Sequence, residues 1–283
     1  MNKNKLVKLA YESRKSIIKM STDGGCFIGA SLSCVDFLGY LYLEYMNIEK
    51  NNLNHPNRDI LILSKGHDVP ALYSIFAELD FIDKNRLKNH LKTNDNIYWH
   101  PNFSIPGVEF HSGSLGHGLS VSIGIALNSR IESINNKIIT ILGDGEINEG
   151  SVWESFLLAS ALNLSNLIVV VDRNKFQANL KTEDLIPLEP LIDKLKAFGW
   201  ETYECDGHDF KSIDYAFKKL NKSNSNKPKF VIAHTTRGKG LPSIENDPTR
   251  WFVDFSKDEI NLLLKELKSG IKTDLKSKKI IAR

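Results

Sequence analysis

Four stretches of the chain, residues 59–63, 138–142, 167–171 and 230–235, are apolar at nearly every position and rich in Ile, Leu and Val, and a fifth, 201–205, carries a weaker version of the pattern. A strand with one wet face alternates polar and apolar residues, so uninterrupted runs of this length fit parallel strands buried on both faces. Between them, apolar residues recur at helical spacing over 5–19, 33–45, 69–78, 115–131, 151–162, 188–198, 212–220 and 257–267. Short strands alternating with longer helices predict an α/β fold, a central parallel sheet flanked by helices on both faces. Polar clusters at 47–57, 92–96 and 221–229 read as loops and nothing repeats, which leaves one continuous domain over 1–264 and a tail over 265–283. Ligands of such sheets gather beyond the carboxyl ends of the strands, near a switch in strand order, which directs attention to the loops after Leu142 and Val171.

Composition narrows the class. With 41% hydrophobic and 25% charged residues the chain is ordinary globular material, which excludes wholesale disorder. Its apolar runs fall far short of the roughly 20 residues that span a bilayer, and the basic start, Met1-Asn2-Lys3-Asn4-Lys5-Leu6, is not followed by the apolar core of a signal peptide. A cytoplasmic protein without membrane contact is expected. Cys26, Cys34 and Cys205 contain no Cys-x-x-Cys pair, so they read as reduced, buried thiols. The net charge is +3, but residues from Lys265 onward carry +5, leaving −2 on the rest. A short basic tail on a near-neutral body reads as a solvated C-terminus, and no nucleic-acid partner is expected.

The loop after the 138–142 strand reads Gly143-Asp144-Gly145-Glu146-Ile147-Asn148-Glu149-Gly150, with a helix expected directly afterwards. Glycines on both sides of a carboxylate let the backbone turn and approach a ligand, and a helix N-terminus offers free N–H groups to an anion. The following strand ends in Asp172-Arg173-Asn174-Lys175-Phe176, which sets Asn174 near Asp144 if the two strands are neighbours. An Asp carboxylate, an Asn carbonyl and a main-chain carbonyl are hard oxygen ligands that suit Mg²⁺ bridging a diphosphate. Each loop alone would also serve as a tight turn or a strand-end cap. The glycine spacing does not match Gly-x-Gly-x-x-Gly, and no Gly-x-x-x-x-Gly-Lys-Ser/Thr occurs, which removes the dinucleotide and Walker readings.

Gly143-Asp144-Gly145 followed by Asn174 resembles the thiamine diphosphate motif. Ser64-Lys65-Gly66-His67, Trp99-His100-Pro101 leading to Pro106-Gly107-Val108-Glu109, and Gly113-Ser114-Leu115-Gly116-His117-Gly118 resemble transketolases in particular. The resemblance runs from about residue 5 to about residue 252. It implies that Asp144, Asn174 and the Phe176 carbonyl ligate Mg²⁺, that Gly145 and His67 contact the diphosphate, and that Gly113 and Leu115 contact the aminopyrimidine. His100 matches a histidine near the hydroxymethyl end of the donor, suited to hydrogen bonding or proton transfer at the ketose carbonyl. Glu149 and Glu154 match glutamates near a subunit interface that link two active sites. His55, His90, His111, His208 and His234 receive no role.

Full-length transketolases continue with a pyrimidine-binding domain that supplies the glutamate protonating the aminopyrimidine. The sequence ends at Arg283, so the resemblance implies the N-terminal subunit of a split transketolase, transferring a two-carbon ketol unit between sugars. It would act with a separate C-terminal, pyrimidine-binding subunit, as an α2β2 assembly, and be inactive alone. Two positions depart from the family: Phe27 and Phe252 stand where many members carry histidines facing the substrate. A phenyl ring cannot donate to a sugar hydroxyl, and a hydroxyl left unpaired in a closed pocket costs about 1–3 kcal/mol. The two changes point away from an ordinary pentose or hexose phosphate and toward a deoxy, branched-chain or nucleotide-linked sugar. A related thiamine diphosphate carboligase and a non-catalytic interaction subunit are the alternatives.

Overall fold

The computed structural model describes residues 1–277. In chain order its helices are α1 (Lys3–Met20), α2 (Ile28–Tyr40), α3 (Val69–Glu78), α4 (Gly118–Ile131), α5 (Gly150–Ala161), α6 (Thr182–Leu185), α7 (Leu191–Ala197), α8 (Phe210–Asn221) and α9 (Lys257–Ser269). The strands are β1 (Ile60–Leu63), β2 (Ile138–Gly143), β3 (Leu167–Arg173), β4 (Phe176–Gln177), β5 (Leu180–Lys181), β6 (Glu201–Asp206) and β7 (Lys229–His234). Five of them form one wholly parallel sheet in the order β1-β2-β3-β7-β6, and β4 and β5 make a small antiparallel hairpin. The winding advances from β1 to β3, skips to the far edge at β6 and returns to insert β7.

Strand side chains alternate between two cores. Leu61, Leu63, Ile139, Ile141, Ile168, Val170, Val231 and Ala233 join one, packed under α1, α2, α3, α8 and α9. Ile138, Leu142, Leu167, Val169, Val171, Phe230 and Ile232 join the other, under α4, α5 and α7. Every second residue therefore faces a different hydrophobic layer, which is why the strands read as unbroken apolar runs. The same layering buries every residue of α2.

Helix ends differ from expectation where local chemistry intervenes. The helix expected from residue 33 begins at Ile28, and its far end loosens into a π-helical turn over Leu41–Tyr45. Asp209 caps α8 by accepting from the Lys211 and Ser212 amides, so that helix starts at Phe210. Ser256 and Glu259 form a reciprocal capping box at the start of α9, and Gly270, with φ 72°, ends it. The division expected at 264/265 falls inside α9. Residues beyond α9 fold back onto it: Glu266, fully buried, accepts from the Ser243 amide at 2.6 Å and the Thr273 amide at 3.1 Å, and Glu259 accepts from the Lys276 and Ser277 amides. The basic residues Lys278, Lys279 and Arg283 lie outside the described residues. Among the described residues no helix is long and apolar enough to cross a membrane.

Phe156 anchors α5 to the sheet. It has no exposed surface and meets Trp153, Trp200 and Phe230 edge-on at ring-centroid distances of 5.6, 5.4 and 5.6 Å. Phe156→Ala is expected to destabilise the fold by about 3–5 kcal/mol, read as a lower denaturant midpoint with an unchanged slope.

Candidate active site

Parallel pairing of β2 and β3 sets Gly143 opposite Asp172, so the two glycine- and asparagine-bearing loops leave the sheet side by side. Asp144 is buried, and its Oδ1 accepts from the Asn174 amide at 3.1 Å while Oδ2 accepts from the Lys175 amide at 2.6 Å and pairs with Arg173 Nη1 at 2.6 Å. Burial pushes its carboxyl up to about 6 against the pull of Arg173. The Asn174 side chain accepts from the Phe176 amide at 3.0 Å and donates to Asp172 Oδ2 at 2.7 Å. Both expected oxygen ligands thus also hold their own loops, the capping role that each loop allowed on its own.

These residues line a cavity of about 340 Å³ at the carboxyl edge of the sheet. Of the expected site residues, His67, His100, Gly113, Leu115, Asp144, Gly145, Glu149, Asn174 and Phe176 line it; Glu154 lies exposed on α5 and does not. A larger cavity, about 460 Å³, lies between the end of α1 and residues 84–92 and contains none of them. Gly113 (φ 149°) is required where it stands, because a Cβ there would meet the His100 ring at 3.0 Å. A Cβ on Gly145 would meet Gln177 Cγ at 2.5 Å. Burial, reinforced by Lys65, Arg237 and His100, pushes the His67 imidazole down to about 3, and burial also lowers His100. Both rings are held neutral at neutral pH, suited to accepting and donating hydrogen bonds rather than to carrying charge.

Charged residues around the cavity were not singled out from the sequence. Lys65 is buried and reaches both Asp68 and Asp172, and these carboxylates raise its ammonium against the opposing effect of burial. Glu146, buried behind the Gly143–Gly145 turn, accepts from Ser64 Oγ and from the amides of Gly116 (3.0 Å) and Gly143 (3.2 Å), so one carboxylate ties three loops together. Arg237, in the loop after β7, reaches into the same cavity. It is 2% exposed, its Nη1 donates to the Ala178 carbonyl and it stacks on Phe176 at 5.3 Å, while its Nε and Nη2 have no hydrogen-bond partner among the described residues. Burial lowers it to about 10, which leaves it a cation at neutral pH. Position at the carboxyl end of a strand was the one available sequence signal for Lys65 and Arg237.

An aromatic wall closes one side. Phe27 and Trp251 line the cavity, with the Phe27 ring 5.5 Å from His67 and 5.2 Å from Trp251. Phe252 stands behind it at 5.1 Å from Phe27. The two segments are stitched together by paired hydrogen bonds between Cys26 and Val253, of 3.0 and 3.1 Å.

Could the residues present hold a magnesium diphosphate? Among the described residues there is no group of three or more His, Cys, Asp or Glu side chains arranged to hold a metal ion. One carboxylate, one amide oxygen and a main-chain carbonyl beside a buried cation with two unpartnered N–H-bearing nitrogens nonetheless form a donor set that a hard ion fits when phosphate oxygens complete its shell. The loops themselves depend on Glu146. Glu146→Ala is expected to cost at least about 2 kcal/mol, because three donors lose their acceptor, while Glu146→Gln recovers most of that loss in chemical unfolding.

Comparison with known proteins agrees with this geometry. The family described as "Transketolase, thiamine diphosphate binding domain" matches residues 16–275. One of the two apulose-4-phosphate transketolase chains of Actinobacillus succinogenes is 38% identical over 269 residues, covering 94% of this chain and 96% of that protein. The 6-deoxy-6-sulfo-D-fructose transketolase subunit SqwG of a Clostridium species is 37% identical, covering 75% of this chain and 78% of that protein. Among solved structures, transketolase from Campylobacter jejuni superposes with a TM-score of 0.85 at 28% identity, over 96% of this chain and 44% of its own. With its glycine loops, buried carboxylates and paired histidines on one sheet edge, the chain belongs to the transketolase family, as its thiamine diphosphate-binding domain.

Proposed function

We propose that this protein is the diphosphate-binding subunit of a split transketolase, transferring a two-carbon ketol unit between sugars together with a separate pyrimidine-binding subunit. The observation that carries the reading is Arg237: a buried guanidinium with unpartnered nitrogens, in the cavity that also holds Asp144, Asn174 and His67. A buried cation of this kind is costly unless an anion meets it, and a diphosphate beside the Asp144 loop would do so. Asp144, Asn174 and the Phe176 carbonyl would hold Mg²⁺; Gly145, His67 and Arg237 would face the diphosphate; Gly113 and Leu115 would face the aminopyrimidine. Bound thiamine diphosphate supplies the carbanion chemistry that breaks and forms the carbon–carbon bond. The chain's own contribution is to orient the donor, with neutral His100 hydrogen bonding or passing a proton at the ketose oxygen, and to exclude water behind Phe27 and Trp251. Glu149, at the cavity rim, and Glu154, exposed on α5, suit a role at the contact between subunits. An α2β2 assembly acting in the cytoplasm is the simplest arrangement.

Substrate class follows from the wall. Phe27 places a phenyl ring in the cavity where a hydrogen-bonding ring would suit a sugar hydroxyl, and Phe252 backs it. The two relatives are named for apulose 4-phosphate and 6-deoxy-6-sulfo-D-fructose rather than for xylulose 5-phosphate or fructose 6-phosphate. A donor or acceptor with an apolar or branched portion at this wall is the reading we favour.

Two outcomes are expected. Calorimetric titration of thiamine diphosphate and Mg²⁺ into the assembled complex gives tight binding that Asp144→Ala abolishes and Arg237→Ala weakens roughly 10- to 100-fold, the equivalent of one or two charge-assisted hydrogen bonds. No binding by a verified complex would overturn the cofactor reading and leave an interaction subunit. In donor profiling, Phe27→His raises kcat/KM for ordinary ketose phosphates roughly tenfold. Rapid turnover of xylulose 5-phosphate and fructose 6-phosphate by the unmodified complex would remove the altered-substrate reading.

A further inference from the structure

His208 lies outside the cavity and belongs to none of the motifs above, yet its ring bonds fix its protonation pattern. Its Nε2 receives the Thr236 amide at 2.7 Å, and since a backbone N–H only donates, Nε2 must be the unprotonated nitrogen. Nδ1 therefore carries the proton and donates to Asp36 Oδ2 at 2.7 Å. Asp36 is in turn gripped by Arg14, Nη1 to Oδ1 at 2.9 Å and Nη2 to Oδ2 at 2.6 Å, and Arg14 Nε donates to the Lys239 carbonyl at 3.0 Å. The relay leaves the loop after β7 and returns to it three residues later. Between its two ends sits Arg237. A third hold, from the Gly238 amide to the Gly29 carbonyl at 2.8 Å, fixes the same loop to α2.

The side chains involved come from α1, α2, the loop before α8 and the loop after β7, so the relay is a tertiary construction rather than a local turn. Asp36 and Arg14 are 5% and 8% exposed, and the Asp36 carboxyl is held down to about 2, because Arg14 and His208 outweigh the effect of its burial. A loop pinned on both sides of one residue gives that residue a single backbone position, and the Arg237 side chain is itself anchored at one nitrogen, Nη1, by the Ala178 carbonyl at the cavity edge. The two remaining nitrogens are thereby presented to whatever anion the cavity takes.

We propose that His208 is a positioning residue for the cofactor: through Thr236 and the Asp36–Arg14 pair it sets Arg237 at the angle needed to receive the diphosphate. This rests on the diphosphate reading of the cavity given above. His208 touches no reacting atom, so its effect passes entirely through Arg237.

That indirectness decides the test, a double-mutant cycle on the complex assembled with its partner subunit. Thiamine diphosphate affinity is measured for the unmodified complex, His208→Phe, Arg237→Ala and the double variant, alongside hydrogen exchange of the 235–240 amides. His208→Phe keeps the ring's bulk and removes both bonds. It is expected to weaken cofactor binding about tenfold, to speed exchange in 235–240, and to leave kcat at saturating cofactor within about twofold. In the Arg237→Ala background the same change should add less than twofold. His208→Gln, which offers an acceptor oxygen and a donor nitrogen, should recover affinity to within about threefold of the unmodified complex, and it replaces His208→Phe in the cycle if that variant does not assemble. An equal loss in both backgrounds, or unchanged affinity with slower or unaltered exchange, overturns the proposal. Absence of binding by the unmodified complex would instead sink the cofactor reading itself, and the exchange of 235–240 would still report whether His208 holds the loop.

Discussion

A carboxylate with no access to water, Asp172, stands where the rest of the structure converges. Its Oδ2 receives Ser33 Oγ from α2, the Lys65 ammonium from the loop after β1 and Asn174 Nδ2 from its own loop, and its Oδ1 receives Thr235 Oγ1 from the loop after β7. Burial alone would push its carboxyl upward, but Lys65 and the hydroxyl donors hold it below the ordinary range. Burying such a group has little to recommend it as a source of net stability, since desolvation offsets most of the attraction. What it provides is specification. Four segments distant in sequence must each deliver a donor to one spot, and a chain that misplaced any of them would leave a buried charge unsatisfied.

This explains why the fold was more legible than the site. Two-sided burial stamps a strand onto the sequence as an unbroken apolar run, and the strands at 138–142 and 167–171 declared themselves in that way. Glycine loops are also readable, because turn geometry and close approach restrict the residue type itself. Gly113, with its left-handed backbone facing the His100 ring, is an example. Asp172, Lys65 and Arg237 had no such mark: a charged residue just past a strand looks the same in sequence whether it points to water or into a core. Glu146 was hidden inside a motif read for its glycines and aspartate. The hairpin of β4 and β5, two residues per strand, is too short to produce a pattern at all.

The charges around the cavity have an asymmetry that bears on its purpose. Lys65 is shared by Asp68 and Asp172, and Arg173 pairs with Asp144. Arg237, equally buried, has among the described residues a hydrogen-bond partner for one nitrogen, and that partner is a neutral carbonyl. Two of these three cations are internally answered and the third is directed at the cavity, as expected where an anionic ligand completes the arrangement rather than decorating it. The Arg173–Asp144 pair adds a second feature. The carboxylate expected to serve the metal is already organised by an arginine and two amides, so it needs no reorientation of its loop to present a charged oxygen.

The aromatic side of the cavity belongs to the same logic of coupled positions. Phe27 and Phe252 are 225 residues apart in sequence, yet the hydrogen bonds between Cys26 and Val253 hold them in ring contact. A histidine in place of Phe252 alone would face the ring of Phe27 rather than the cavity, with its polar atoms against an apolar edge. One in place of Phe27 alone would present a donor to the substrate while resting on Phe252 and Trp251. The two substitutions are therefore one change in the character of a wall. Only the front residue meets the substrate, whereas the back one sets how much water and polarity the front can have. Because His67 packs edge-on against Phe27 at 5.5 Å, that wall also borders a ring expected to face the diphosphate. Substrate preference and cofactor placement thus meet at Phe27, so the identity of the sugar and the geometry of the cofactor cannot be altered independently at this position.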